Sequence, residues 1–211
     1  YMPSDKITML PDCVSEAFSL IAGQTCPALS LYVTLDADLN IISSRNALEN
    51  VPIVANLRIE SLELVFNAQT VCQPNTPDYP FKVALEKLWQ WANQLEIARG
   101  KDNPNRAPQI DFNIQVGADE KVQIVPRERG APIDKLVSEL MIFANSTWGR
   151  QLTQAGLAAI YRSQSMGKVR MGTSPAPHIG LGVAHYTWSS SPLRRAVALV
   201  NQRQLISLVT E

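Results

Sequence analysis

The 211-residue sequence predicts a domain of mixed α and β structure, or a large piece of a bigger one. Three observations lead there. Residues 81–98 and 132–148 repeat apolar side chains at helical spacing. Residues 29–58 and 111–125 read as strand–turn–strand. The composition, 45% hydrophobic and 18% charged, suits a chain with a core and is too apolar for a disordered one. No run of about eighteen apolar residues is present, so no membrane-spanning helix is expected. No basic-then-apolar leader opens the chain, and Tyr1-Met2-Pro3 reads like the interior of a longer protein.

The elements follow in order. Leu29–Leu35 is partly alternating and rich in β-branched and aromatic residues, and predicts a strand. Asp36-Ala37-Asp38-Leu39-Asn40 predicts a turn, and Ile41 to about Arg58 the return strand. Loop 71–80, with Pro74, Pro77 and Pro80, is either a linker or a loop within one domain. Phe81, Ala84, Leu85, Leu88, Ala92 and Leu95 share a face of a helix over 81–98. Asp111–Val116 and Lys121–Val125 form a second hairpin around Gly117-Ala118-Asp119-Glu120. Pro132, suited to a first helical turn, opens the best helix of the chain, with Ile133, Leu136, Val137, Leu140, Met141, Ala144 and Trp148 on its apolar face. Ala158–Ser163 reads as a short strand. Pro192 opens a last helix through Leu208, with Leu193, Val197, Val200, Leu205 and Leu208 toward the core.

Charge is balanced at 19 basic against 19 acidic residues, but unevenly placed. Residues 1–100 carry 6 basic and 11 acidic side chains, and residues 101–211 carry 13 and 8. From 140 onward there are seven bases (Arg150, Arg162, Lys168, Arg170, Arg194, Arg195, Arg203) and one acid, Glu211. Such a segment is a plausible footprint for phosphate groups, or a chance gradient on a solvated surface. Familiar sites are absent. The stretch from Asp36 imitates a calcium loop, but Ile41 stands at its sixth position and Ala47 at its twelfth, where glycine and a bidentate glutamate belong. There is no phosphate-binding loop and no nucleophile elbow. Gly180-Leu181-Gly182 lacks the third glycine of a dinucleotide fingerprint. His178 and His185 have no acidic neighbour that would suggest a metal. Cys13, Cys26 and Cys72 are scattered and odd in number, which predicts free thiols in a reducing compartment.

The C-terminal stretch is more specific. It holds Ile160-Tyr161-Arg162, Pro175-Ala176-Pro177-His178-Ile179-Gly180-Leu181-Gly182, Tyr186 through Ser191-Pro192-Leu193-Arg194-Arg195, and Asn201-Gln202-Arg203-Gln204-Leu205. Upstream lie Leu136-Val137-Ser138-Glu139-Leu140-Met141-Ile142-Phe143-Ala144-Asn145, Met9-Leu10-Pro11 and Phe18-Ser19-Leu20. In this order the segments resemble the catalytic RNB domain of the ribonuclease II and ribonuclease R exoribonucleases. The resemblance implies an α+β fold, a mixed sheet surrounded by helices forming a basic RNA channel. It implies 3′-to-5′ hydrolysis of single-stranded RNA to nucleoside 5′-monophosphates, with two magnesium ions clamping the attacking and leaving oxygens, in the cytoplasm.

By the same resemblance, Arg194 matches the arginine that contacts the scissile phosphate, where its planar fork would brace developing charge. Ser191 belongs to the same motif and would lie along the substrate. Arg195 is open between phosphate contact and structure. Tyr1 matches the tyrosine that stacks on the 3′-terminal nucleotide. Glu139 matches a glutamate inside the channel, with a buried partner for an arginine as the other role open to it. Arg170 would contact the RNA backbone. Tyr161, Arg162 and His178 would organise the channel wall.

The departures from the family pattern matter as much. The family's metal-binding aspartate cluster precedes the Met-Leu-Pro segment, and none of this chain's acids repeats it, so no metal ligand is expected in residues 1–211. The flanking cold-shock and S1 domains are not represented either. Ala196 and Ala198 stand where the family has tyrosine and aspartate, and the segment between Arg162 and Pro175 is short. The 211 residues alone are therefore expected to be inactive. The alternative is an inactive RNB remnant acting as an RNA-binding or scaffold protein.

Overall fold

The computed structural model describes residues 7–73, 76, 78–103, 109–117 and 121–210. Tyr1 lies outside the described residues. The order of elements is α1 (Asp12–Ala17), β1 (Thr25–Leu35), β2 (Ile41–Pro52), α2 (Ile59–Leu62), α3 (Lys82–Ala98), β3 (Gln109–Val116), β4 (Val122–Arg129), α4 (Pro132–Gln154), β5 (Tyr161–Ser163), β6 (Arg170–Gly172), a 3₁₀ turn at Ile179–Leu181, and α5 (Ala196–Thr210). The α+β class holds. Among the described residues the strands share no single sheet; they form three separate antiparallel ribbons, β1–β2, β3–β4 and β5–β6.

The first ribbon turns on Asp36. Its Oδ1 accepts from the backbone N–H groups of Asp38 and Asn40 at 2.9 and 2.8 Å. These bonds, with the Asn40 side chain first among them, hold the Asp36 carboxyl below its ordinary range. The stretch that imitates a calcium loop is thus a self-bonded turn. The return strand stops at Pro52 rather than near Arg58, as expected of a residue that has no N–H to donate.

Helix α4 is the spine. Pro132 occupies its first turn and Asp134 complements the helix N-terminus. Its first half packs Ile133 and Leu136 against Leu62, Phe66 and Leu85. Its second half packs Trp148 and Leu152 against Ala159, Tyr161 and Leu205. One helix therefore serves two apolar clusters, with Trp91 and Phe143 in edge contact, centroids 5.1 Å apart.

Four expected core positions are corrected. Phe81, Ala84, Val137 and Val200 are exposed. On α4 the buried face includes Glu139 and Asn145 instead. On α5 it runs through Ala198, Asn201 and Leu205, and that helix begins at Ala196, since residues 192–194 form a turn. Apolar periodicity passes over a helix face whose central members are polar and hydrogen-bonded.

Ribbon β3–β4 shows the reverse. Ile110, Phe112, Ile114, Val116, Val122 and Ile124 alternate along one face, with Ile114 opposite Ile124 and Val116 opposite Val122. All six are exposed. The three cysteines are free thiols, Cys26 buried and the others exposed.

Candidate nucleic-acid interface

The segment 186–195 has little regular structure of its own, so distant side chains must satisfy its backbone. Asn145 of α4 does so at one end. Its Oδ1 accepts from Ser189 N–H at 2.9 Å, and its Nδ2 donates to Ser190 Oγ at 3.0 Å. Its carbonyl accepts from the Thr187 hydroxyl at 3.1 Å. Asn201 of α5 does so at the other. Its Nδ2 donates to the carbonyls of Trp188 and Ile160 at 3.1 and 3.0 Å, and its Oδ1 accepts from Ile160 N–H at 2.8 Å. Both asparagines are fully buried. Arg162 N–H donates to the Tyr186 carbonyl at 2.8 Å, which ties β5 to the same segment.

On this braced segment sit Trp188, Ser191, Arg194 and Arg195. The Arg162 guanidinium carbon lies 4.7 Å from the Trp188 ring centroid and that of Arg195 lies 4.5 Å from it. The two carbons are therefore no more than about 9 Å apart. At an effective dielectric near 20, two charges at that separation repel by about 2 kcal/mol. Each cation–π contact returns about 0.5–1 kcal/mol at a partly exposed site. Trp188 thus roughly offsets the repulsion between two arginines that have no ion-pair partner among the described residues. Burial, then the charges of Arg194 and Arg162, push the Arg195 guanidinium below its ordinary pKa. Arg194 is exposed, and its N–H donates to the Ser191 carbonyl at 3.4 Å. Arg170, also exposed, pairs with Ser163, the residue after Arg162, across β5–β6. Arg170, Ser191, Arg194 and Arg195 thus belong to β5–β6 and the segment bonded to it.

His178 is buried, with its Nδ1 accepting from Leu181 N–H at 3.3 Å and its Nε2 unpartnered. Burial and then the nearby Arg162 charge hold the imidazole below its ordinary pKa. Its ring meets Tyr186 edge-on at 5.7 Å.

Glu139 sits elsewhere. Arg99, capping α3, grips it with Nη2 at 2.5 and 2.6 Å from the two carboxylate oxygens, and donates from Nη1 to the Leu181 carbonyl. Both oxygens of this buried carboxylate face one guanidinium, which is the structural role open to it from sequence. The pair lines a cavity of about 290 Å³ with Leu95, Phe143, Thr147 and His185, and none of Arg170, Ser191, Arg194 and Arg195 lines it. Gly182 closes the joint. Its φ is +67°, and a Cβ there would lie 2.3 Å from the Arg99 carbonyl oxygen, so only glycine fits. From the sequence, Arg99 is one base among many, and Asn145 and Asn201 stand inside motif segments with no role assigned to them. Their partners lie 40 or more residues away, apart from the bonds of Asn201 to Trp188, so no local pattern shows what they bond. Arg162 was noticed, but its stacking on Trp188 was not.

Fold and site together define a domain of mixed α and β structure that presents a patch of unpaired arginines on a segment held by buried asparagines. The chain belongs to the RNB domain family, whose profile matches residues 1–170. It is 27% identical over 232 residues to an uncharacterized ribonuclease of Synechocystis sp., covering 97% of this chain and 33% of that protein. It is 22% identical over 267 residues to exoribonuclease 2 of Vibrio vulnificus, covering 99% of this chain and 40% of that one. The chain thus spans a third to two fifths of the length of these relatives. Among solved structures, Mycoplasma genitalium RNase R in complex with double-stranded RNA shares the fold at a TM-score of 0.80, with 17% identity over 98% of this chain and 46% of the other. Yeast Ssd1, a pseudonuclease, shares it at 0.73, with 18% identity over all of this chain and 32% of the other.

Proposed function

We propose that the chain is the RNA-gripping part of a cytoplasmic 3′-to-5′ exoribonuclease that hydrolyses single-stranded RNA to nucleoside 5′-monophosphates. The observation that carries this is the arginine patch. Arg194 is exposed, without a carboxylate partner among the described residues, and lies in the motif by which the chain resembles the family. There it would brace the scissile phosphate, with Ser191, Arg195 and Arg170 along the backbone and Tyr1 against the terminal base. Glu139 would act by position, as a neutralised pair with Arg99 beside the residue 181–182 turn.

Among the described residues no three Asp, Glu, His or Cys side chains could hold a metal ion. These residues do not fit a magnesium pair. In this proposal the aspartate cluster is supplied by polypeptide outside residues 1–211, as are the cold-shock and S1 domains, and the 211 residues alone hydrolyse nothing. The test is incubation with end-labelled single-stranded RNA in magnesium, alongside binding of the same RNA across a salt series. Mononucleotide release by the 211-residue chain would overturn the proposed inactivity. Absence of salt-dependent binding would overturn the RNA assignment.

A non-catalytic RNB protein is the second reading, favoured by Ala198. This residue is fully buried where the family pattern has aspartate, and its N–H donates to the Arg195 carbonyl at 2.9 Å. An RNA-binding protein that lacks hydrolysis even as the full-length polypeptide would establish it.

A further inference from the structure

We infer that Arg162 and Arg195, held on the ring of Trp188, form a second phosphate grip beside Arg194, with Trp188 as its positioning residue. This rests on the RNA assignment above, which already lays Arg195 along the backbone, and adds to it Arg162 and the device that aims the pair. Arg162, Arg194 and Arg195 are basic groups with no carboxylate partner among the described residues. Two of them converge on one ring, at 4.7 and 4.5 Å from its centroid. Arg99, by contrast, is neutralised by Glu139. An uncompensated cluster instead favours an anion that neutralises it.

Rigidity adds to charge. A guanidinium on a flexible stem loses rotamer freedom when it takes a phosphate, and stacking on a fixed ring removes that cost in advance. The backbone that carries the ring is fixed, because the Trp188 carbonyl accepts from buried Asn201 and the next residue, Ser189, donates to buried Asn145. Arg162 is anchored at its own backbone by the bond to Tyr186. The arrangement presents two fixed guanidiniums to a polyanion without reading any base. A sequence-tolerant grip of this kind suits an RNA backbone passing through it.

The experiment is fluorescence anisotropy of a labelled oligouridylate with the full-length protein, titrated from 50 to 300 mM salt. Each phosphate contact removed from a single strand lowers the magnitude of the log K against log salt slope by about 0.7. Arg162→Gln and Arg195→Gln are each expected to lower it by about that amount, and Lys87→Gln, exposed on α3, to leave it unchanged. Trp188→Phe keeps a ring and is expected to keep the slope, whereas Trp188→Leu is expected to lower its magnitude by up to about 1.4, two contacts' worth, with thermal unfolding confirming that each variant is folded. A merely structural tryptophan would change the melting temperature and leave the slope of folded protein alone. An unchanged slope in Arg162→Gln and Arg195→Gln, with the slope of Arg194→Gln reduced, would overturn this inference and leave the RNA assignment standing. Loss of slope in none of the arginine variants, or no salt-dependent binding by the unaltered protein, would overturn both.

Discussion

Arg99 and Arg194 are the same side chain in opposite circumstances. Arg99 is half-buried against a buried carboxylate, and a backbone carbonyl takes one of its remaining donors. Arg194 is exposed, beside Arg195 and with no acid partner among the described residues. A count of basic residues treats the two alike. The structure separates them by what lies opposite, and that separation divides the arginine that holds the fold from those that await an anion.

The comparison breaks most sharply at the buried pair. Arg99→Ala is expected to cost about 3–5 kcal/mol in urea unfolding, because Glu139 is left charged and buried. Replacing both partners with apolar residues of similar size, Arg99→Met with Glu139→Leu, should recover most of that loss. A double variant as unstable as the single one would show that the pair does more than neutralise itself. Next is Asn201→Ala, which strips partners from the Ile160 N–H, the Ile160 carbonyl and the Trp188 carbonyl. About 2–3 kcal/mol should be lost in the same measurement, together with RNA affinity, since the ring under the two arginines is freed.

Arg194→Gln sharpens the other side. Its stability should stay within about 0.5 kcal/mol of the unaltered protein, while RNA affinity at fixed salt falls about ten-fold or more, as for one charge-assisted bond. The smallest effect is the pH response of His178. Its folded pKa lies below its unfolded value, so the unfolded chain binds the proton more readily. Its contribution is fully present above about pH 6.5 and is lost as pH falls toward the folded pKa. Melting temperature should drop on acidification from pH 7, and His178→Gln should remove that part of the drop.

How much of this was legible in the sequence depends on the range of the interaction. Helix α4 was legible because Pro132 and the spacing of Ile133, Leu136 and Trp148 act within a few turns. The motif Ser191-Pro192-Leu193-Arg194-Arg195 drew attention through resemblance, and the structure places its arginines without acid partners. Periodicity misassigned Val137 and Val200, because it ranks residues by apolarity and the buried faces hold Glu139, Asn145 and Asn201. The bracing of 186–191 by two asparagines was not legible at all. Asn145 meets Ser189 and Ser190 across more than forty residues, and only the folded chain brings them together.

The outward apolar face of β3–β4 bears on handling rather than on fold. Phe112, Ile114 and Ile124 are each more than 60% exposed, and a continuous ridge of such side chains promotes self-association as concentration rises. The solubility ceiling of the purified chain would then be governed by a ribbon remote in sequence from every arginine of the patch. A single lysine at position 114 should raise that ceiling while leaving the strand pairing intact.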